Sequence, residues 1–302
     1  ATLRRADGTE AELDVDAVIV ATGHLNQPHI PDIEGLDEFA GTVFHTSRWR
    51  HDVDLTGKRV AMIGVGASAI QVARNVAAVA SRFTIFQRSP QWVAPNPDYH
   101  RTVSPQKQWL LSNVPHYAMW YRFVRFWRYG DGLLASLHKV EGWEHADRSV
   151  GPDNDRHRRF YTRYLMSELE GRDDLVAKTL PDYPPFGKRM LVDNEWFTTL
   201  RRDNVELVTA GIQRFTSEGI VADDGTQHPV DAVIMATGFH ARRYVWPIEA
   251  IGRRSLREIW GDDDARAYLG ITVPEMPNFF VMGGPNTSLA HGGSAIFHAE
   301  CQ

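Results

Sequence analysis

Two groups of residues in this sequence have the types and spacing that bind and polarise anions. The first is Gly64-Val65-Gly66-Ala67-Ser68-Ala69, a G-x-G-x-x-A turn. It follows the apolar run Lys58-Arg59-Val60-Ala61-Met62-Ile63 and opens a helical pattern through Ile70, Val72, Ala73, Val76 and Ala77. In a strand, turn and helix of this kind the first glycine permits the tight turn and the second lets the backbone approach a pyrophosphate. The small third residue lets helix and strand pack closely, and the helix N-terminus faces the anion. The pattern predicts dinucleotide contacts from Gly64, Gly66, Ser68 and Ala69; the alternative is a glycine turn without a ligand. The second group is Lys188-Arg189, set beside Gly and Pro in Pro184-Pro185-Phe186-Gly187-Lys188-Arg189-Met190. One cation of such a pair can clamp a phosphate and the other can stabilise an oxyanion, while a solvated surface pair is the alternative.

The strand after the glycine-turn helix, Phe83-Thr84-Ile85-Phe86, ends in Gln87-Arg88-Ser89. An acid at this place accepts the ribose 2′-hydroxyl of NAD, whereas a cation accommodates the 2′-phosphate of NADP. No Asp or Glu occurs from Leu55 through Pro97. Arg88 can fork onto phosphate oxygens, so NADPH is the expected dinucleotide, the alternative for Arg88 being a solvated cation at a strand end.

These residues need a parallel sheet to hold them, and an internal repeat supplies its strands. Asp16-Ala17-Val18-Ile19-Val20-Ala21-Thr22-Gly23 returns as Asp231-Ala232-Val233-Ile234-Met235-Ala236-Thr237-Gly238. Each copy follows a turn signal, Asp7-Gly8-Thr9 or Asp224-Gly225-Thr226, and reads as a hairpin feeding a buried apolar strand that stops at Gly. Thr22, Gly23, Thr237 and Gly238 would then lie at carboxyl ends of strands, where open α/β sheets bind ligands; a duplicated structural hairpin is the alternative. From about residue 92 to 187 the pattern becomes aromatic and basic. Tyr117, Trp120, Tyr121, Phe123, Val124 and Trp127 recur at helical spacing with Arg122, Arg125 and Arg128 between them. An inserted helical subdomain is predicted, its stripe packed on the main body, with a membrane-surface helix or a substrate-lining lid as alternatives.

Composition sets the outer limits. The 302 residues, 43% hydrophobic and 24% charged, describe a globular α/β protein of about two domains. The net charge of −5 argues against nucleic-acid partners. No apolar run approaches the roughly 20 residues of a membrane span, so no transmembrane segment is expected, and the N-terminus has no signal-peptide pattern. Cys301 is the only cysteine, which makes a reducing cytoplasm the expected compartment. His138 and His145 have no ligand spacing and no metal site is expected; a G-x-S-x-G hydrolase elbow is absent.

Phe39-Ala40-Gly41-Thr42-Val43-Phe44-His45-Thr46-Ser47-Arg48-Trp49 resembles the F-x-G-x-x-x-H-x-x-x-W fingerprint of flavin-dependent Baeyer–Villiger monooxygenases, just ahead of the glycine turn as in that family. The resemblance covers essentially the whole chain. Trp120-Tyr121-Arg122 through Gly130-Asp131-Gly132, with Gly187-Lys188-Arg189-Met190, is most similar to the 4-hydroxyacetophenone-oxidising branch. Arg50 departs from the Pro or Asp that usually closes the fingerprint, which leaves the related N- and S-oxidising flavin monooxygenases as an alternative.

The resemblance implies a two-dinucleotide-binding-domain flavoprotein: a Rossmann-like NADPH domain with a helical insertion, plus a partial FAD domain. Residues 1–40 would be the tail of a first FAD-domain segment and 41–56 a linker carrying the fingerprint. The NADPH domain would comprise 57–98 and 188–238 around the insertion 99–187, and 239–302 would return to the FAD domain, with Pro277-Asn278-Phe279 through Gly284-Pro285-Asn286 as its late strand and loop. No G-x-G-x-x-G for FAD precedes Ala1, so the expectation is an internal piece of a longer monooxygenase, with a non-catalytic nucleotide-binding module as the alternative for the isolated chain. The implied cofactors are FAD and NADPH, and the implied partners are a small-molecule ketone and O2, giving an ester or lactone through a C4a-peroxyflavin. Arg189 matches the arginine that stabilises the flavin peroxide anion. Lys188 and Arg88 match groups around the NADPH 2′-phosphate, and Gln71 one near the nicotinamide. Phe39, Gly41, His45 and Trp49 match a linker of structural and conformational role.

Overall fold

The computed structural model describes residues 1–4, 7–96, 98–129, 131–245, 248–261, 264–285 and 287; Gly130, Asn286 and Cys301 lie outside them. The chain opens with an antiparallel hairpin, β1 (Thr2–Arg4) and β2 (Glu10–Glu12), followed by β3 (Val18–Val20). Next come β4 (Thr42–His45), β5 (Arg59–Ile63), α1 (Ala67–Val79), β6 (Arg82–Phe86) and the short β7 (Val93–Ala94). The insertion holds α2 (Pro105–Asn113), α3 (Tyr117–Tyr129), α4 (Asp131–Leu134), α5 (Pro152–Glu168) and α6 (Asp173–Thr179). It returns through β8 (Leu191–Val192), α7 (Trp196–Leu200) and β9 (Val205–Val208). A meander of β10 (Ile212–Thr216), β11 (Gly219–Ala222) and β12 (Gln227–Pro229) leads to β13 (Ala232–Met235), and the described chain ends with α8 (Leu256–Trp260), β14 (Thr272–Val273) and β15 (Met276–Val281).

Two units result, Ile30–Gly238 and Ala1–His29 with the described residues from Phe239 onward. In the larger unit β4, β13, β5, β6 and β9 form a parallel sheet in that order. Its strands read as apolar runs because both faces are covered, and side-chain alternation divides each run between two cores. Val60 and Met62 of β5, with Ala232 and Ile234 of β13, pack on the α1 side. Ala61, Ile63, Val233 and Met235 pack on the other face with Phe215 and Ile220 of the meander. Buried Ala69, Ala73 and Ala77 recur every fourth residue of α1, so the helix approaches the sheet closely. Each larger side chain buried here contributes about 1.5–3 kcal/mol.

Residues 30–40 belong with this larger unit, a correction to the boundary at 40. Phe215 N donates to Glu34 O at 2.8 Å, and the Phe39 ring meets Phe215 edge-on at 5.8 Å. In the smaller unit β3 pairs in parallel with β15, Val18 opposite Phe279, so the first and last described segments share one sheet.

The repeat reading needs one correction too. Both turns form alike, with Thr9 N donating to Asp7 Oδ1 and Thr226 N to Asp224 Oδ1, each at 2.9 Å. β13 is buried throughout between β4 and β5, whereas among the described residues β3 pairs with β15 alone and leaves Ile19 66% exposed. The stripe of α3 departs further from expectation. Met119, Trp120, Phe123 and Trp127 are 62%, 62%, 48% and 55% exposed, while Tyr117, Tyr121 and Val124 face inward. The insertion is tied to the body at its base instead, where Val93 pairs with Leu191 and Asn96 N donates to Asn194 Oδ1 at 2.7 Å. Among the described residues no helix is long and apolar enough to cross a membrane, and no His, Cys, Asp and Glu cluster could hold a metal.

Candidate active site

The register of the parallel sheet assembles the site. His45, Met235, Ile63, Phe86 and Val208 end their strands side by side. The segments that follow, Ala236-Thr237-Gly238, Gly64 through Ala69 and Gln87-Arg88-Ser89, therefore emerge from neighbouring strands at one carboxyl edge. Gly64 has φ +105°, and its N donates to Phe86 O at 2.9 Å. A Cβ there would sit 2.5 Å from Ala236 O, so no other residue fits. Gly66, by contrast, would meet nothing within 4 Å if it carried a Cβ, and no side chain caps the first turn of α1 behind it. The turn is thus open at Gly66 and its first N–H groups have no side-chain cap, as a pyrophosphate site requires. Ala69 is fully buried against the sheet, while Ser68 and Gln71 are exposed on the outer side of the first turns.

At the end of β6, Gln87 is turned inward and its Nε2 donates to Lys178 O at 2.7 Å. Arg88 is exposed, and Lys188 is brought to it from the far side of the insertion. Lys188 Nζ donates to Ser89 Oγ at 2.6 Å and lies 4.6 Å from the centre of the Tyr183 ring. Burial and the nearby charge of Arg88 hold the Lys188 ammonium below its ordinary value. Two cations that repel one another across an open strand end form a site that an anion would stabilise.

A second layer fixes the loop that carries Lys188 and Arg189. Tyr183 donates its hydroxyl to Pro90 O at 2.9 Å, and burial pushes that phenol up to about 12. Arg158 donates to Tyr183 O and Pro181 O and lies over the Trp92 ring, while Asn154 Nδ2 donates to Pro185 O. Phe186 is held at φ +69°, buried, with the His157 ring edge-on at 5.3 Å. That conformation is unfavourable for a bulky residue and persists only under packing constraint. Arg189 follows this turn as an exposed side chain with no ion pair or hydrogen bond among the described residues. Sequence reasoning did not single out Ser89, Tyr183 or Phe186; Ser89 was signalled only by its place beside Arg88, and the other two by the proline-rich turn before Lys188.

The fingerprint residues pack behind the edge. His45 is buried; Ser47 N donates to its Nδ1 at 3.1 Å, and its Nε2 lies 2.9 Å from Gly238 O. A backbone N–H only donates and a carbonyl only accepts, so the proton is on Nε2. His45 thus fixes the end of β4 to the Thr237-Gly238 turn. Gly41 has no space for a Cβ, which would meet the Phe39 ring at 2.4 Å and Asp231 O at 2.5 Å. Trp49 stands edge-on to Phe44 at 5.0 Å. Thr22 and Gly23 are exposed at the end of β3 in the smaller unit, Gly23 at φ +71° matching Gly238 at +79°.

Residues 2–99 match the flavin-binding monooxygenase-like family. An uncharacterized monooxygenase of Sinorhizobium fredii is 47% identical over 302 residues, covering 99% of this chain and 46% of that protein. A Baeyer–Villiger monooxygenase of Streptomyces coelicolor is 35% identical over 294 residues, covering 96% and 53%. Among solved structures, the OTEMO complex with FAD and NADP is 26% identical with a TM-score of 0.72, over 99% of this chain and 64% of that one. The chain spans about half the length of the curated relatives it matches. With a Rossmann-like parallel sheet and its glycine-turn edge in the larger unit, the chain is similar over nearly its whole length to flavin-binding monooxygenases, Baeyer–Villiger monooxygenases among them.

Proposed function

We propose that this chain contributes the NADPH site and an anion-stabilising arginine to an enzyme that converts a small ketone, O2, NADPH and a proton into an ester or lactone, water and NADP+. The observation that carries the reading is the carboxyl edge itself, where an open, uncapped helix N-terminus stands beside the Arg88 and Lys188 pair. The residues present fit a dinucleotide. Gly64 makes the tight turn, Gly66 leaves room for the pyrophosphate against the first turn of α1, and Ser68 stands exposed to reach it. Arg88 and Lys188 would take the 2′-phosphate, a group that NADH lacks. Gln71 on the next turn of α1 would approach the nicotinamide; Thr237 and Gly238 in this unit, and Thr22 and Gly23 in the smaller one, are candidate cofactor contacts each within its own unit. When bound, NADPH supplies hydride and FAD supplies the activation of O2.

Arg189 serves the second half of the reaction. Its guanidinium is charged at every working pH, and the Phe186 turn holds its backbone in place. A cation at this position would stabilise negative charge that develops during oxygen transfer. His45, Gly41 and Trp49 touch no reacting group and position the Gly238 turn.

The test is Arg189→Ala in the full-length protein. Flavin reduction by NADPH under nitrogen should proceed, while ketone oxygenation falls on the order of a hundredfold or more. Stopped-flow absorbance separates the two half-reactions. Oxygenation at near parental rates would return Arg189 to the status of a surface cation.

A further inference from the structure

The insertion leaves its most aromatic edge in solvent. On α3 the Trp120 and Phe123 rings stack at 5.6 Å, and Phe123 and Trp127 follow at 6.1 Å, so the exposed residues form a continuous ridge with Met119 beside it. That ridge is not what holds α3 to α2. The contact between them is made on the opposite face, where the Tyr121 hydroxyl accepts from Lys107 Nζ at 3.2 Å and from Arg125 at 3.0 Å. Both cations also lie over the Tyr121 ring, at 4.5 and 5.2 Å. Trp109 of α2 is 60% exposed as well.

Charge identifies what such a ridge would meet. Residues 99–130 contain Arg101, Lys107, Arg122, Arg125 and Arg128 and not one Asp or Glu, in a chain whose net charge is −5; Arg101 and Arg125 share the carboxylate of Asp98, at 3.3 and 3.6 Å, so the segment stays net positive. Arg122, three residues after Met119 and therefore its neighbour on the helix, is exposed with no ion pair or hydrogen bond among the described residues. A second copy of the chain would bring the same positive segment against itself and be repelled. A bilayer with anionic headgroups matches both features: tryptophan and phenylalanine enter the headgroup boundary, and arginine reaches the phosphates. At 13 residues, α3 is about 20 Å long, too short to cross a hydrocarbon core of about 30 Å.

We propose that the α2–α3 hairpin docks the protein peripherally on an anionic lipid surface, with the Trp120, Phe123 and Trp127 ridge in the plane of the interface. Aromatic burial gives the hairpin its depth, and Arg122 with its basic neighbours gives it the preference for negative headgroups.

The experiment is co-sedimentation of the full-length protein with vesicles of phosphatidylcholine alone and vesicles containing phosphatidylglycerol, at low and high salt. Binding to the anionic vesicles, weakened by salt, is expected, with little on the neutral ones. The triple substitution Trp120→Ser, Phe123→Ser and Trp127→Ser should abolish it, and Arg122→Glu should weaken it by about fivefold or more. All four side chains are exposed, and an unchanged circular dichroism spectrum and melting temperature would show that the variants fold. Equal sedimentation with both vesicle types, binding unaffected by the triple substitution, or no binding at all would overturn the proposal. So would a concentration-dependent dimer that the triple substitution dissolves, since the ridge would then be an interface between copies.

Discussion

Arg88 and Lys188 meet at the strand end from positions on either side of the insertion. If both grip the 2′-phosphate, replacing them with Ala should raise KM for NADPH by one to several powers of ten, each charge-assisted contact being worth about 1.5–3 kcal/mol, and leave KM for NADH nearly unchanged. Steady-state kinetics with both cofactors checks this, and equal effects would remove the assignment. The turn that presents Lys188 and Arg189 rests on His157, whose imidazole is held below its ordinary value by burial, with the charge of Arg156 adding. A histidine lowered in the folded state binds its proton more readily when unfolded. Its contribution to stability is full above the unfolded value of 6.5 and is lost progressively as pH falls through that value. His157→Phe keeps a ring against Phe186 and Tyr161 but cannot titrate. The urea midpoint of the variant should therefore fall less than that of the parent between neutral and mildly acidic pH, and parallel curves would count against His157.

Two glycines of one turn should behave oppositely. Gly64→Ala forces a Cβ onto Ala236 O at a positive φ, a strain of at least about 1–3 kcal/mol that should appear as a lowered melting temperature. Gly66→Ala meets open space at φ −77°, so stability should change by less than about 1 kcal/mol while NADPH affinity falls. Calorimetry combined with cofactor titration separates the two, and a shared loss of stability would mean that Gly66 is structural. This turn was legible because strand, glycines and helix adjoin in sequence, so local rules suffice. The aromatic stripe of α3 was not. Spacing reports that a helix has two faces, and here both are apolar at intervals, with Tyr121 turned inward by Lys107 and Arg125 and Trp120 left outside. Likewise Val18-Ile19-Val20 and Val233-Ile234-Met235 are nearly one sequence, yet β3, paired on one side among the described residues, exposes what β13, paired on both sides, buries.

At the scale of the molecule, the sequence order of the repeat, glycine turn and insertion already required an interrupted α/β chain. The residues that complete the candidate site were hidden because they arrive from afar: the base of the insertion joins Asn96 to Asn194, 98 positions away, and with the Val93–Leu191 pair and the Tyr183 bond to Pro90 O it carries Tyr183 and Lys188 to Ser89. The glycine turn, Arg88, Lys188 and both apolar cores of the parallel sheet all belong to residues 30–238, whereas the core of the other unit is built from Val20 and the segment between Val245 and Val281. NADPH should accordingly stabilise one unit and not the other. At a concentration about a hundredfold above its dissociation constant, a ligand that binds only the folded state adds about 2.7 kcal/mol. For a unit of this size that raises the melting temperature by about 5–10 °C. Hydrogen exchange with and without NADPH resolves the units: protection should deepen in β5, α1, β6 and β13, which surround the turn, while β3, β14 and β15 remain unchanged. Equal protection of both would show that NADPH also engages the unit of β3 or couples the two, and added protection confined to the β3 unit would place the dinucleotide at the wrong sheet.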